Sequence, residues 1–281
     1  MEILDVSKWK KDSEKQLSGT RTKYWIIDPK YSQHYMFKIP RENTGEAWAE
    51  KVAAELGKLF GLSMMDVQLA CRKNVIGIIA KNFTVSTEEF FEGGDLISAI
   101  VEDFDRYKLD NYTFENITQA LTDFGLDDQF VIIPIFDALI GNQDRHCDNW
   151  GIIVSKSGSY RLAPIYDNGT SLGFQLKEER IKLMFKDKNM FKAYNNRSYS
   201  LIGIGDKKKP KYTELIPVIR SRYPSKIKKI ANYISGLNNG MIIKILNIIP
   251  DSIMSDIYKE WVLKLLLYRR DWLIKILDGS E

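Results

Sequence analysis

A chain of 281 residues that is 44% hydrophobic and 12% aromatic can bury a full core, which excludes a disordered segment or a small disulfide-held scaffold. Its 41 Lys and Arg stand against 37 Asp and Glu, a net charge of +4 that is interspersed and too mild to imply direct nucleic-acid binding. The two cysteines, Cys71 and Cys147, lie far apart without CxxC spacing, so neither a disulfide framework nor a zinc knuckle is expected, and a reducing compartment fits.

The N-terminus, "MEILDVSKWKKDSEK", has no apolar signal core. The longest apolar run, "FVIIPIFDALI" from Phe130, is about half the ~20 residues of a membrane span and contains Pro134 and Asp137. The expectation is a cytoplasmic protein at its site of synthesis, without a membrane partner.

In chain order, "SGTRTKYW" from Ser18 reads as a polar turn, with Gly19 allowing close approach to a phosphate and the amides of Ser18, Gly19 and Thr20 facing it. An ordinary turn ahead of a strand is the competing reading. Between Tyr24 and Ile39, "YWIID" and "HYMFKI" flank the polar break "PKYSQ" and predict a hairpin. "GEAWAEKVAAELGKLFGL", Gly45 to Leu62, is rich in helix formers, with Trp48, Val52 and Leu56 on one face and Gly61 placed as a C-cap. "DVQLACRKNVIGIIAKNF" predicts a second hairpin, turning near Asn74.

After Phe83 the pattern becomes helical. Segments 88–104, 113–124, 128–140, 213–222, 226–237 and 255–277 fit a 3.6-residue period, and "WGIIV" and "YRLAPIY" are the strand signals. The fold class is therefore α+β: a small β-rich lobe with one helix over residues 1–84, followed by a larger helical lobe over 85–281. The boundary is placed at "KNFTVSTEE".

The densest polar stretch is "GNQDRHCDNWGIIV", set between two apolar runs. A loop between buried elements holds costly polar groups only where they satisfy one another, water or a ligand. Asp144 and Asn149 are five apart, and Asp167 follows in "APIYDNG". This is the order used in phosphoryl transfer, where one Asp accepts the proton of the attacking hydroxyl and a later Asn and Asp hold Mg²⁺ against nucleotide phosphates. Lys38 on a strand and an acid on the following helix, Glu46, Glu50 or Glu55, complete the set. His146, Cys147 and Asp148 read as orienting or filling residues, because adjacent residues rarely converge on one ion. "DKKKPKY" from Asp206 reads as a solvated loop.

Together, "GNQDRHCDNWGIIV", "LAPIYDNGTSL", "YMFKIP", "AEKVAAELGKLFGL" and "IPDSIMSDIYKEWVLKLLLYRRDWL" resemble the HipA-like Ser/Thr kinases, most closely their short cell-translocating type. The resemblance implies a bilobed protein-kinase-like fold, ATP between the lobes, Mg²⁺, a protein substrate and autophosphorylation, with Ser18 as the candidate serine. By residue it implies Lys38 paired with ATP phosphates and Glu50, Asp144 as base, Asn149 and Asp167 as magnesium ligands, and the backbone of Lys81, Asn82 and Phe83 against adenine. Asn168 stands where the usual kinases carry the phenylalanine of D-F-G, so regulation through that ring is not expected. The longer toxins carry an extra N-terminal segment, which a lysine already at position 38 leaves no room for, and they pair with a DNA-binding antitoxin. Substrates within the family range from aminoacyl-tRNA synthetases to host proteins, so a toxin or exported effector role and an antitoxin partner stay open. Lipid and small-molecule kinases share the D-x-H-x-x-N type of loop and form the rival enzyme class; a non-catalytic nucleotide-binding module is the rival outside enzymes.

Overall fold

The computed structural model describes residues 3–13 and 22–280. Ser18, Gly19 and Thr20, the turn expected to face phosphate, lie outside the described residues. Two short strands come first, Leu4–Asp5 (β1) and Lys10–Asp12 (β2), neither marked by the sequence pattern. The first predicted hairpin follows as Lys23–Ile27 (β3) and His34–Lys38 (β4), with Lys23 opposite Lys38. Helix Glu46–Leu59 (α1) ends as expected, because Gly61 takes φ +68° and the Leu62 amide reaches back to the Gly57 carbonyl. The second hairpin is Val67–Arg72 (β5) and Val75–Lys81 (β6). Its turn residues Lys73 and Asn74 both adopt left-handed angles, φ +50° and +64°, the twist-compatible two-residue turn.

These strands form one sheet in the order β1-β5-β6-β4-β3-β2. Side chains alternate between its faces, as a period of two requires. Val67, Leu69, Ile78 and Ala80 join the main core that also buries α1. Val6, Ile26, Phe37, Ala70 and Ile79 form a second small core on the opposite face, with Trp9 and Tyr35 packed on it.

The expected helix over 88–104 is corrected. Glu88–Glu92 (β7) is a strand, and only Gly93–Ser98 (α2) is helical. Glu and Phe favour a helix by only tenths of a kcal/mol per residue. Here β7 pairs along its whole length with Gly151–Ser155 (β8), and Phe90 sets its ring 5.2 Å from Phe83 and 6.1 Å from Tyr166. Ladder and aromatic contacts override that preference. Tyr160–Leu162 (β9) completes a three-stranded sheet in the order β7-β8-β9. Beyond it Ile165 bridges in parallel to Met64, which ties the second half to the first.

The remaining helices are Phe114–Thr122 (α3), Asp127–Phe130 (α4), Ile132–Ile140 (α5), Glu178–Lys186 (α6), Lys188–Asn196 (α7), Tyr212–Arg222 (α8), Pro224–Ser235 (α9), Asn239–Leu246 (α10) and Asp256–Asp278 (α11). The single helix expected over 128–140 is broken at Val131, and α6, α7 and α10 were not foreseen. Pro134 falls in the first turn of α5, where a missing N–H costs nothing. Along α11, Trp261 is fully buried against the rings of Phe191 and Tyr194 and donates its indole N–H to the Leu172 carbonyl at 3.0 Å. That contact holds the segment after Asp167 against α7. No described helix is long and apolar enough to cross a membrane.

Candidate active site

The loop after α5 is built around one buried arginine. Gly141 ends α5 with φ +68°, and Arg269 of α11 donates to the Ala138 carbonyl at 2.8 Å, a cation set at the negative end of the helix. Asp137, in the last turn, is 1% exposed. Arg145 grips it with Nε on Oδ2 at 2.9 Å and Nη2 on Oδ1 at 2.7 Å. Its other donors reach the carbonyls of Asn149 and Tyr166 at 2.8 and 2.7 Å and Asn168 Oδ1 at 2.7 Å. All five guanidinium N–H groups therefore have an acceptor, the condition under which a buried ion pair is tolerated.

This arrangement places the predicted residues. Asn142, held by Asp137, accepts the Asp144 amide on its side-chain oxygen at 3.0 Å, a local turn that presents Asp144 half-exposed. Asn149 donates its side-chain amide to the Asp144 carbonyl at 2.7 Å, so the two ends of the loop are pinned together. Asp167 has a left-handed backbone, φ +55°, a conformation that Asp adopts more readily than most residues with a Cβ.

Lys38, 6% exposed at the end of β4, meets Asp167 at 2.5 Å and has Glu46 at 3.9 Å. The expected direct pair with Glu50 is not formed. Glu50, 1% exposed, instead accepts the backbone amides of Asn168 at 2.9 Å and Gly169 at 2.7 Å. Of the three helix acids, Glu55 turns away to Lys51 and Lys58, Glu46 lies nearest the lysine, and Glu50 holds the segment that carries Asp167. Gly169 makes this grip possible, since a Cβ there would stand 2.8 Å from Glu46 Cγ and 3.2 Å from Glu50 Oε2.

The charges follow from these contacts. Burial alone would lower the Lys38 pKa, but the Asp167 carboxylate, then Glu50, raise it, so the ammonium stays protonated. Burial works to raise Asp167, and the adjacent Lys38 outweighs it and holds the carboxyl below its ordinary value. Glu50 moves the other way: its burial raises the pKa against the pull of Lys38.

Ionised Asp167, with 38% of its side chain exposed, and the side-chain oxygen of Asn149, whose amide nitrogen is already engaged, are hard oxygen ligands of the kind Mg²⁺ takes. The donor set fits that ion. In the hinge, the Lys81 and Asn82 amides are used by the sheet, bonding the carbonyls of Asp66 at 2.9 Å and His34 at 3.0 Å. Of the three expected contacts, Phe83 is the one whose amide has no acceptor among the described residues.

Two further findings depart from the sequence reading. The potential ligand atoms of His146, Cys147 and Asp148 do converge, within 4.8 Å of one another, although they are adjacent in the chain. The thiol donates to Asp148 at 3.5 Å, and burial with the Asp148 charge pushes its pKa up to about 12, while Arg106 pairs with Asp148 at 3.1 Å. A neutral thiol and a neutralised carboxylate suit packing better than ligation. Asn168, fully buried, links Arg145 to Glu50, so a polar bridge stands where a ring was noted to be missing. Asp137, Asn142 and Asn168 were missed; an Asn in place of the usual Phe was the available signal for the last.

Residues 15–227 match the family model of the HipA-like C-terminal domain. The serine/threonine-protein kinase CtkA of Helicobacter pylori strain J99 is 29% identical over 158 residues, covering 49% of this chain and 46% of that protein, so the match spans about half the length of the curated relative. The crystal structure of a Helicobacter pylori proinflammatory kinase CtkA superposes with a TM-score of 0.86 at 21% identity, over 99% of this chain and 97% of that one. HipA in the Shewanella oneidensis MR-1 complex of HipA, HipB and operator DNA superposes with a TM-score of 0.64 at 12% identity, over 95% of this chain and 67% of that one. Both likenesses show the fold, and the family model spans both the β-rich part and the loop built on Arg145. The chain belongs to the HipA-like C-terminal domain family.

Proposed function

We propose that this protein is an ATP- and Mg²⁺-dependent Ser/Thr protein kinase of the HipA type. The observation that carries the reading is the meeting of Lys38 with Asp167 at 2.5 Å while Glu50 holds the next two amides, beside a loop that presents Asp144 and Asn149. The name of the Helicobacter relative, a serine/threonine-protein kinase, agrees with it.

In this reading protonated Lys38 binds phosphate oxygens of ATP, and Glu50 sets the backbone that aims Asp167. Asn149 and Asp167 would hold Mg²⁺, which would supply positive charge against the developing charge on phosphate. The Phe83 amide faces adenine. Asp144 accepts the proton of a protein hydroxyl as its oxygen bonds to the γ-phosphorus and the ADP oxygen leaves. Transfer to the chain's own Ser18, cytoplasmic action or export as a toxin-like effector, and a HipB-like antitoxin partner belong to the same proposal. Co-purification from the native cell tests that partner.

The deciding experiment is phosphoryl transfer from labelled ATP, to itself and to proteins of a lysate, by the wild type and Asp144→Asn. The variant keeps shape and removes the base, so transfer falls on the order of a hundredfold or more. Equal transfer by both would defeat the assignment of Asp144. Labelled lipid or sugar with no labelled protein would move the chain to the small-molecule kinases, and tight ATP binding without turnover would make it a nucleotide-binding module.

A further inference from the structure

One cavity adjoins Asp144 and a second lies next to it. One, of about 500 Å³, is bounded by Asp144, Arg41, Thr170 and Phe174; the next, of about 610 Å³, is bounded by Arg180, Met190, Ala193 and Arg197. Gln143, Tyr194 and Tyr199 line both, so they form one groove that leads from Asp144 onto α6 and α7.

The charge in this groove is one-sided. Among the described residues Asp144 is the only acid on its walls, against Arg41, Arg180 and Arg197. Arg41 lies over the Phe174 ring at 5.8 Å, and among the described residues none of the three guanidinium groups is ion-paired. Lys209 lies 5.9 Å from the centre of the Tyr199 ring, which lines both cavities. Other partly exposed arginines are spent within the chain: Arg106 pairs with Glu92, Asp95 and Asp148, Arg161 with Glu88 and Arg222 with Glu115, while Arg72 and Arg220 donate to the carbonyls of Trp9 and Ile276. A net charge of only +4 does not explain three unpaired arginines in one groove. Unpaired guanidinium groups present ready forks for carboxylates, and a field of one sign in a cleft concentrates ligands of the opposite sign.

We propose that this groove seats an acidic segment of the protein substrate, with Glu or Asp side chains beside the hydroxyl that is phosphorylated. The proposal rests on the kinase reading for the role of the hydroxyl, but binding in the groove needs no transfer and is measured separately. A peptide fits better than a nucleic acid, because the groove is a short pair of pockets and Tyr194 is packed edge-on against Trp261 instead of offering an open stacking face.

The test uses the full chain and fluorescein-labelled heptapeptides with a central serine flanked by glutamates, by glutamines or by lysines, read by fluorescence anisotropy. The glutamate peptide is expected to bind about tenfold tighter than the glutamine one, an advantage that fades in high salt and is lost in the Arg180→Gln/Arg197→Gln double variant. Both sites are exposed, and an unchanged thermal midpoint confirms that the variant folds. A single variant, Arg197→Lys, should keep part of the preference, since it keeps the charge and loses the fork. Equal binding of the three peptides, a preference that survives in the double variant, or a single-stranded oligonucleotide that binds tighter than the glutamate peptide would each overturn the proposal. Protein phosphorylation without any acidic preference would sink the groove assignment alone. An acidic preference in binding with no transfer to any protein would sink the kinase reading and leave an acidic-segment site.

Discussion

Arg145 and Lys38 are both buried cations near one loop, yet their contacts differ in what they leave open. Arg145 is 1% exposed, and every N–H it owns is spent on this chain: Asp137, Asn149, Tyr166 and Asn168. Lys38 is buried to a similar degree, but its main partner, Asp167, opens 38% of its side chain to solvent. A fully satisfied polar group can only hold shape, because any new contact would break an existing one. A group whose partner opens to a cleft can exchange a protein oxygen for a substrate oxygen. Under the proposed kinase reading, scaffold and chemistry thus differ in what their hydrogen bonds leave free.

The contrast breaks hardest at Arg145. Arg145→Ala would strand Asp137 without a cation and should destabilise the fold by about 3–5 kcal/mol, read as a lower denaturant midpoint with the slope unchanged. A loss under about 1 kcal/mol would mean that the network does not hold the loop.

Asp167→Asn tests the other side. Asparagine tolerates the left-handed backbone, so transfer should fall about a hundredfold or more while stability changes by only about 1 kcal/mol, because 38% of the Asp167 side chain meets solvent and Glu46 stays 3.9 Å from the buried Lys38. The pH dependence has a definite sign. Because Lys38 holds the folded Asp167 carboxyl below its ordinary value of 3.8, the pair's contribution is complete above that value and is lost as the pH falls through the lower, folded one. Unfolding curves of wild type and Asp167→Asn should therefore differ near neutrality and converge in acid. A gap that widens in acid would contradict the ion pair.

The smallest effect concerns Cys147, in the Arg145 loop. With its thiol buried and pushed up to about 12, it should resist iodoacetamide at pH 8 in the native protein and react after denaturation. Mass spectrometry of the labelled chain reads this directly. Rapid native labelling would show that the loop opens far more readily than its contacts imply.

Much of this was legible in the sequence where the signal is local. The two hairpins announced themselves by β-prone runs around polar breaks, and α1 by its composition and Gly61. Asp144, Asn149 and Asp167 stood out because so many polar groups between apolar runs must be satisfied by something. Other elements were hidden for physical reasons. Glu88–Glu92 reads as helix until β8 is there to pair with it, since strand preference belongs to the partner as much as to the segment. Helix α6 buries only Ile181 and Met184, and α7 buries Asn195, so neither carries an apolar period to detect. Glu46 and Glu50 are one helical turn apart on the same face, and spacing cannot say which of them meets the lysine.

The sequence by itself determined the fold class and the residue types available for chemistry, because periodicity, turn residues and a compact polar loop are short-range properties. Only the tertiary structure decided what those residues touch. Lys38 and Asp167 are 129 positions apart, and Glu50 and Gly169 are 119. It is packing across those separations that gave Glu46 the place beside the lysine, made Asn168 a bridge between Arg145 and Glu50, and gathered Arg41, Arg180 and Arg197 along one groove. Contacts of that range depend on where whole elements come to rest, and no stretch of chain short enough to carry a pattern contains both partners.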